Sequence, residues 1–353
     1  MFLTFLKNFS SKLSNDIGID LGTANTLVYL RGRGIVINEP SVVALNVKTN
    51  RVVAVGKEAK DMMGRTPHHI KIVRPLVDGV ISDYEVTEEM LSYLINKAND
   101  IDKKIFRPRV VIGIPVGVTN VEMRAVYDAA KSAGARDVYI VEEPMAAAIG
   151  VRMPIEDPVG NMIVDIGGGT TDIAVISLSG IVRSKSLKVA GDKLIQDIVS
   201  YMRDEFKMLI GEKTGEDIKL AIGSVMPDYE SIELSIKGRD LVTGLPREAV
   251  ITDTDIREAM YSSVALLVEA IREVLETTPP EVLSDIMQKG IVLSGGGSLI
   301  RGLPQLFATQ LKVPVTVAED PLTAVARGTG IILENIEKYK QVLIQNTNDI
   351  SFR

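Results

Sequence analysis

Two short stretches limit what this chain can fold into. "NDIGIDLGTANTLVYL", residues 15–30, and "NMIVDIGGGTTDIAVISL", residues 161–178, each set an aspartate and a glycine turn between two apolar runs. The aspartates, Asp20 and Asp165, stand 145 residues apart (165 − 20). Glycine is costly to order and gives a strand nothing to pack, so glycine at the end of an apolar strand needs another use. A glycine turn between strands presents backbone N–H groups to an anion with no Cβ in the way. Two such turns on facing domains can hold a polyphosphate from both sides. The aspartates would then aim carboxylates at a Mg²⁺ through water, since that ion keeps several waters in nucleotide sites. One D-x-G turn is commonly just a hairpin. Two, each D-[LI]-G-x-x-x-T in matched context, are a strong signal.

The rest of the chain alternates strand-like and helix-like patterns, the mark of an α/β architecture. "RVVIGIPVG" reads as a buried strand. "TNVE" follows as a capping box in which Thr119 and Glu122 satisfy each other, opening a helix that runs to about Ser132 with Gly134 as its stop. "EEPMAAAIG" opens a helix with an acidic first turn and an alanine face that lets backbones approach closely. Residues from about 191 to 275 read as helical and charged. "GIVLSGGGSLI" is a strand and glycine turn, and the stretch after about Lys340 reads as a polar tail. At 353 residues the prior is roughly two domains.

Net charge is −6, and no Lys/Arg cluster offers a basic face, which argues against nucleic acid as a partner. With no cysteine, disulfides, thiolate chemistry and cysteine metal sites are excluded, and the cytoplasm is the expected compartment. Familiar nucleotide motifs fail. "GEKT" at 211–214 has Glu212 between glycine and lysine with no strand before it, and no G-x-G-x-x-G follows a strand. The two histidines, His68 and His69, sit in a Pro-flanked loop.

"MFLTFLKNFSSKL" at the N-terminus places Phe2, Phe5, Leu6 and Phe9 at helical spacing, with Lys7 and Lys12 opposite. An interfacial amphipathic helix fits, with aromatics for acyl chains and lysines for anionic headgroups. A helix packed on its own domain is the alternative. No apolar run approaches the roughly 20 residues of a membrane span.

"IDLGTANT", "VDIGGGTTD", "LSGGGSLI", "VEEPMAAAIG" and "EDPLTAVARG" resemble the phosphate, adenosine and connecting motifs of the actin-like ATPases, most closely the MreB group of bacterial actins, over residues 16 to 340. The resemblance implies an α/β actin-like ATPase fold: two similar ribonuclease-H-like domains, each with an inserted subdomain, and nucleotide in the cleft between them. The domains would be 16–152 with an insert at about 36–75, and 153–340 with an insert at about 191–255, flanked by a membrane-binding helix (1–15) and the tail (341–353).

Carried residue by residue, the resemblance assigns Gly22, Thr23, Ala24 and Asn25 to the first phosphate loop and Gly167, Gly168, Gly169 and Thr170 to the second. It assigns Gly295, Gly296, Gly297 and Ser298 to the adenosine and α-phosphate. Glu216, Asp217, Ile218 and Lys219 come from the helix start beside ribose and base. Glu143, helped by the Thr170 hydroxyl, would orient the attacking water. The alternative for Glu143 is an acid that merely stabilises a helix N-terminus, a role Glu142 could fill equally well. In "DKKIFRPRV", Ile105 and Phe106 lie between basic pairs; the resemblance places this loop beside the N-terminus as a second membrane contact, against the reading that both residues begin the strand core. The implied function is an ATP- and Mg²⁺-dependent, self-polymerising filament protein with slow hydrolysis. It would lie on the inner face of the cytoplasmic membrane, directing wall synthesis with RodZ-, MreC- and MreD-like partners. A small-molecule kinase on the same fold would need an acceptor pocket and base. A chaperone ATPase would need a peptide-binding domain beyond residue 340.

Overall fold

The computed structural model describes residues 14–102, 106–227 and 231–344, so Phe2, Phe5, Leu6, Phe9 and Ile105 lie outside the described residues. Each repeated stretch forms an antiparallel hairpin: Ile17–Leu21 with Asn25–Leu30, and Asn161–Ile166 with Thr171–Ser177. Their registers coincide. Asp20 lies opposite Leu27 and Asp165 opposite Asp172, the same separation in both copies (27 − 20 and 172 − 165).

A sheet is laid around each hairpin in the same order. The first runs Leu343–Ile344, Asp137–Glu142, Arg109–Ile114, Ile17–Leu21, Asn25–Leu30, Gly34–Pro40. The second runs Val315–Val317, Ile291–Ser294, Asn161–Ile166, Thr171–Ser177, Gly180–Leu187. Arg109–Ile114 and Asp137–Glu142 join the first sheet in parallel beside Ile17–Leu21, as Ile291–Ser294 and Val315–Val317 join the second beside Asn161–Ile166, and parallel joins require long crossovers. Helices supply them: Tyr84–Asp102 leads into Arg109–Ile114, and Asn120–Ser132 leads into Asp137–Glu142. The second of these starts with the expected Thr119–Glu122 capping box and ends before Gly134, whose φ is +110°.

Period-2 burial shows what each sheet face covers. Val110, Ile112 and Ile114 enter a core shared with Leu91, Leu94 and Val126 of those two helices, whereas Val111 faces the other way. Met162, Val164 and Ile166 face a second core, and Ile163 joins Val111 in a third. This third core holds the two helices sandwiched between the sheets, Glu143–Gly150 and Ala324–Glu334. Their backbones touch: a Cβ at Gly150 would lie 1.9 Å from Ala324 O, and one at Gly328 1.8 Å from Ala146 O. The alanine face permits the close approach its sequence suggests.

Two three-stranded antiparallel sheets stand apart, besides a short hairpin of Leu76–Val77 and Val80–Ile81. Val43–Asn46 pairs with Arg51–Val55 and Ile70–Val73, inside the expected 36–75 insert. Glu233–Asp240 pairs with Met208–Leu209 and Pro246–Thr252, inside the 191–255 insert. The latter corrects the helical reading of 191–275. Glu233, Ser235, Lys237 and Arg239 project outward while Ile236 is buried, and that half-solvated alternation reads as a charged stretch. The tail also needs correcting. Leu343 is buried, and Leu343–Ile344 closes the edge of the first sheet against Ile140 and Val141.

Candidate functional site

The two hairpin turns meet in a cavity of about 430 Å³ between the sheets. Gly22, Thr23, Ala24 and Asn25 line it from one side, and Gly167, Gly168, Gly169 and Thr170 from the other. The turns touch, since a Cβ at Gly168 would lie 2.6 Å from the Ala24 Cβ. Side chains at this point would hold the sheets apart, which is a second reason for glycine. The third glycine turn, Gly295–Gly297, closes the cavity. Gly295 has φ +76°, left-handed backbone that favours glycine, and a Cβ there would meet Ile166 O at 2.3 Å.

Asp20, Asp165 and Glu143 all reach the cavity. Burial first, then the charge of Asp165, pushes the Asp20 carboxyl up to about 8. Burial, opposed by the Ser294 hydroxyl that donates to Oδ1 and reinforced by Asp172, pushes Asp165 up to about 7. Glu143 is raised well above the usual range, first by burial and then by Asp172, Asp20 and Asp165. Acids that burial and mutual repulsion disfavour as anions fit a site completed by a cation. Among the described residues no three acids or histidines converge closely enough to hold a metal ion by side chains alone. Two aspartates beside a glycine cradle therefore suit an ion that brings waters and phosphate oxygens with it. Glu142 precedes Glu143 as the helix N-cap and does not line the cavity, so the structure separates the two glutamates.

On helix Glu212–Ile222 the cavity face carries Glu216, Lys219 and Leu220, and the C-cap Gly223 lines the cavity beyond them. Asp217 and Ile218 do not line it: at about 100° per residue they turn away, Asp217 to solvent and Ile218 into the core of the second sheet. Ser298 is likewise behind the wall, its hydroxyl donating to Gly295 O at 2.6 Å and bracing that turn. Phe106 is described and 45% exposed, so it does not begin the strand core. It bridges Ser14, which brings the chain at residue 14 beside the loop that carries Phe106.

Sequence reasoning assigns no role to Asp172, which does not line the cavity but lies close enough for its charge to raise both Glu143 and Asp165. It is buried, accepts the Val116 N–H at 2.9 Å across the two sheets through Oδ1, and has no hydrogen-bond partner at Oδ2. Its signal was available: the first copy has Leu27 at the matching position, so Asp172 is where the repeat departs from itself. The D-G turn at Asp78 and Gly79 was equally readable as a hairpin. Both residues have positive φ, and the Gly79 N–H donates to Thr23 Oγ1 at 3.0 Å, beside Thr170.

Residues 14–341 match the family model described as MreB/Mbl protein. The cell shape-determining protein Mbl of Bacillus subtilis is 53% identical over 92% of this chain and 97% of its own length. The crystal structure of MreB5 of Spiroplasma citri bound to ADP superposes with a TM-score of 0.87 at 43% identity, covering 92% of this chain and 98% of that one. The MamK double helical filament gives a TM-score of 0.78 at 25% identity over 91% of this chain and 99% of that one. The fold is actin-like, as the sequence motifs imply.

Proposed function

The chain belongs to the MreB/Mbl family of actin-like proteins, and on that footing we propose that it is a cell shape-determining ATPase whose nucleotide-dependent filaments lie on the cytoplasmic face of the membrane and direct wall synthesis. What carries the reading is the pair of register-matched hairpins whose glycine turns and aspartates share one cavity. The ADP held by MreB5 and the filament formed by MamK support extending nucleotide binding and self-association to this chain.

In this reading the turns at 22–25 and 167–170 hold the phosphates, Gly295–Gly297 the α-phosphate and adenosine, and Glu216 and Lys219 the ribose and base. Asp20 and Asp165 would hold a Mg²⁺ ion, which when bound would supply neutralisation of the phosphate charge. Glu143 orients the attacking water with help from Thr170. Phosphoryl transfer to water is mainly positioning and charge stabilisation, so this set suffices for slow hydrolysis. The domains are 16–152, whose sheet takes Leu343–Ile344 as its edge strand, and 153–340, with the two inserts described above. The N-terminal aromatics, Ile105 and Phe106 form the membrane contact, and RodZ-, MreC- and MreD-like proteins are the membrane partners. Among the described residues no helix is long and apolar enough to cross a membrane.

Electron microscopy of the purified protein on lipid, with ATP, ADP or no nucleotide, tests the proposal alongside phosphate release. Filaments and phosphate release that both require ATP are expected. Phosphate release that depends on an added small-molecule hydroxyl acceptor, with no filaments, would move the assignment to a kinase.

A further inference from the structure

Charged pairs join the first insert to the second domain beside the cleft. Lys60 Nζ lies 2.9 and 3.1 Å from the two carboxylate oxygens of Glu216. Arg74 forks between two acids, Nη1 at 3.3 Å from Asp192 and Nη2 at 2.9 Å from Glu212. The cations come from the small sheet and helix at 43–74, and the acids from the starts of helices Gly191–Asp204 and Glu212–Ile222. Asp192 and Glu216 line the nucleotide cavity, and the same two residues with Lys60 and Arg74 line a smaller cavity of about 40 Å³. These pairs are thus part of the partition between the two spaces.

The partition is wired to the phosphate site. Gly191 N–H donates to Gly167 O at 3.1 Å and Asp192 N–H to Gly168 O at 2.8 Å, so the helix that carries Asp192 is anchored on the second glycine turn. Lys219 Nζ donates to Gly191 O at 3.1 Å, tying the nucleoside-side helix to the same point. A shift of the glycine turn around phosphates therefore reaches Asp192 and, through it, Arg74.

Resting on the nucleotide-binding reading, we propose that Arg74 and Lys60 form a latch across the cleft that closes over bound nucleotide and sets the rate at which it leaves. The first insert cannot separate from the second domain without breaking these pairs. All of them are partly exposed, with 34% of the Arg74 side chain and 37% of the Lys60 side chain accessible, so each is individually weak and screened by salt. That strength suits a latch that opens thermally rather than a permanent joint. The Arg74 fork is specific, because one lysine nitrogen does not reproduce a planar group bridging two carboxylates.

The test is the release of etheno-ADP chased with excess ADP, on protein kept dilute enough to stay monomeric. The Arg74→Ala/Lys60→Ala double variant should release it about tenfold faster than wild type, equivalent to about 1.4 kcal/mol. Arg74→Lys should fall between them. Raising KCl from about 50 to about 500 mM should speed wild-type release and leave the double variant nearly unchanged. Thermal melting reports whether the variants fold, and should the double variant fail to fold, the wild-type salt response and Arg74→Lys decide the question. Wild-type release rates in a folded double variant, or salt-independent release from wild type, would overturn the latch. Failure of wild type to take up etheno-ADP would instead remove the nucleotide reading beneath it.

Discussion

Replacing Asp20 by Asn should stabilise the nucleotide-free protein at neutral and alkaline pH while crippling its use of Mg²⁺-ATP. In the folded chain the Asp20 carboxyl is pushed up from 3.8 to about 8 by burial and by Asp165. Between those two values the folded protein holds a proton that the unfolded chain has lost. The stability this gives is complete below pH 3.8, falls as pH rises, and is gone above about 8. The slope is at most about 1.4 kcal/mol per pH unit for one group. For a chain of 353 residues, an unfolding entropy near 2.1 cal/mol/K per residue turns this into about 2 °C per pH unit. Asp165, raised to about 7, adds a slope of the same sign up to its own value. Thermal melting of apo protein from pH 5.5 to 8 should therefore show a falling Tm in wild type and a flatter profile in Asp20→Asn. Mg²⁺-ATP should raise the wild-type Tm most at the alkaline end and the variant little. Parallel profiles in the two proteins would mean that the Asp20 charge is not penalised in the folded state, and the argument for a cation site would fall with it.

Glu143→Gln should keep nucleotide binding by titration calorimetry yet slow phosphate release by about 10²-fold or more, since a positioned carboxylate contributes that much and the amide fills the same space. Asp16→Asn should cost about 3 kcal/mol in urea unfolding, because Asp16 is fully buried and takes two bonds from the Arg109 guanidinium, at 2.9 and 2.6 Å, that would be left uncompensated. Deleting residues 2–13 should leave ATP binding intact and reduce flotation with anionic liposomes, most visibly when ATP allows filaments and many weak anchors act together. Equal flotation of both proteins would assign the aromatic stripe to packing.

The hairpins and their aspartates were legible because the signal is local: apolar run, carboxylate, glycine, apolar run, repeated once. The Gly295 turn and the Thr119 capping box were legible for the same reason. Helical phase is less legible: of Glu216, Asp217, Ile218 and Lys219 only the first and last line the cleft. Strand Glu233–Asp240 hid behind exposed charges, and Leu343–Ile344 is too short to show a period. Arg74 and Lys60 were invisible in principle. Their partners lie 118 and 156 residues further along, and a lone surface cation gives no hint of one.

The edge strand Leu343–Ile344 also bears on how the chain is made. It completes the sheet that Ile17–Leu21 begins, so the lobe synthesised first is finished last. Its neighbour Asp137–Glu142 must wait for about 200 further residues, which at about 5–20 residues per second is on the order of 10 to 40 s of translation. Helix Ala324–Glu334, which covers the inner face of the same sheet, arrives just as late. During that interval Val111 and Val141 have only helix Glu143–Gly150 over them and lack the cover that Val325 and Ile332 later add. A nascent chain released early therefore carries an unfinished apolar face and an open sheet edge, a combination that invites aggregation.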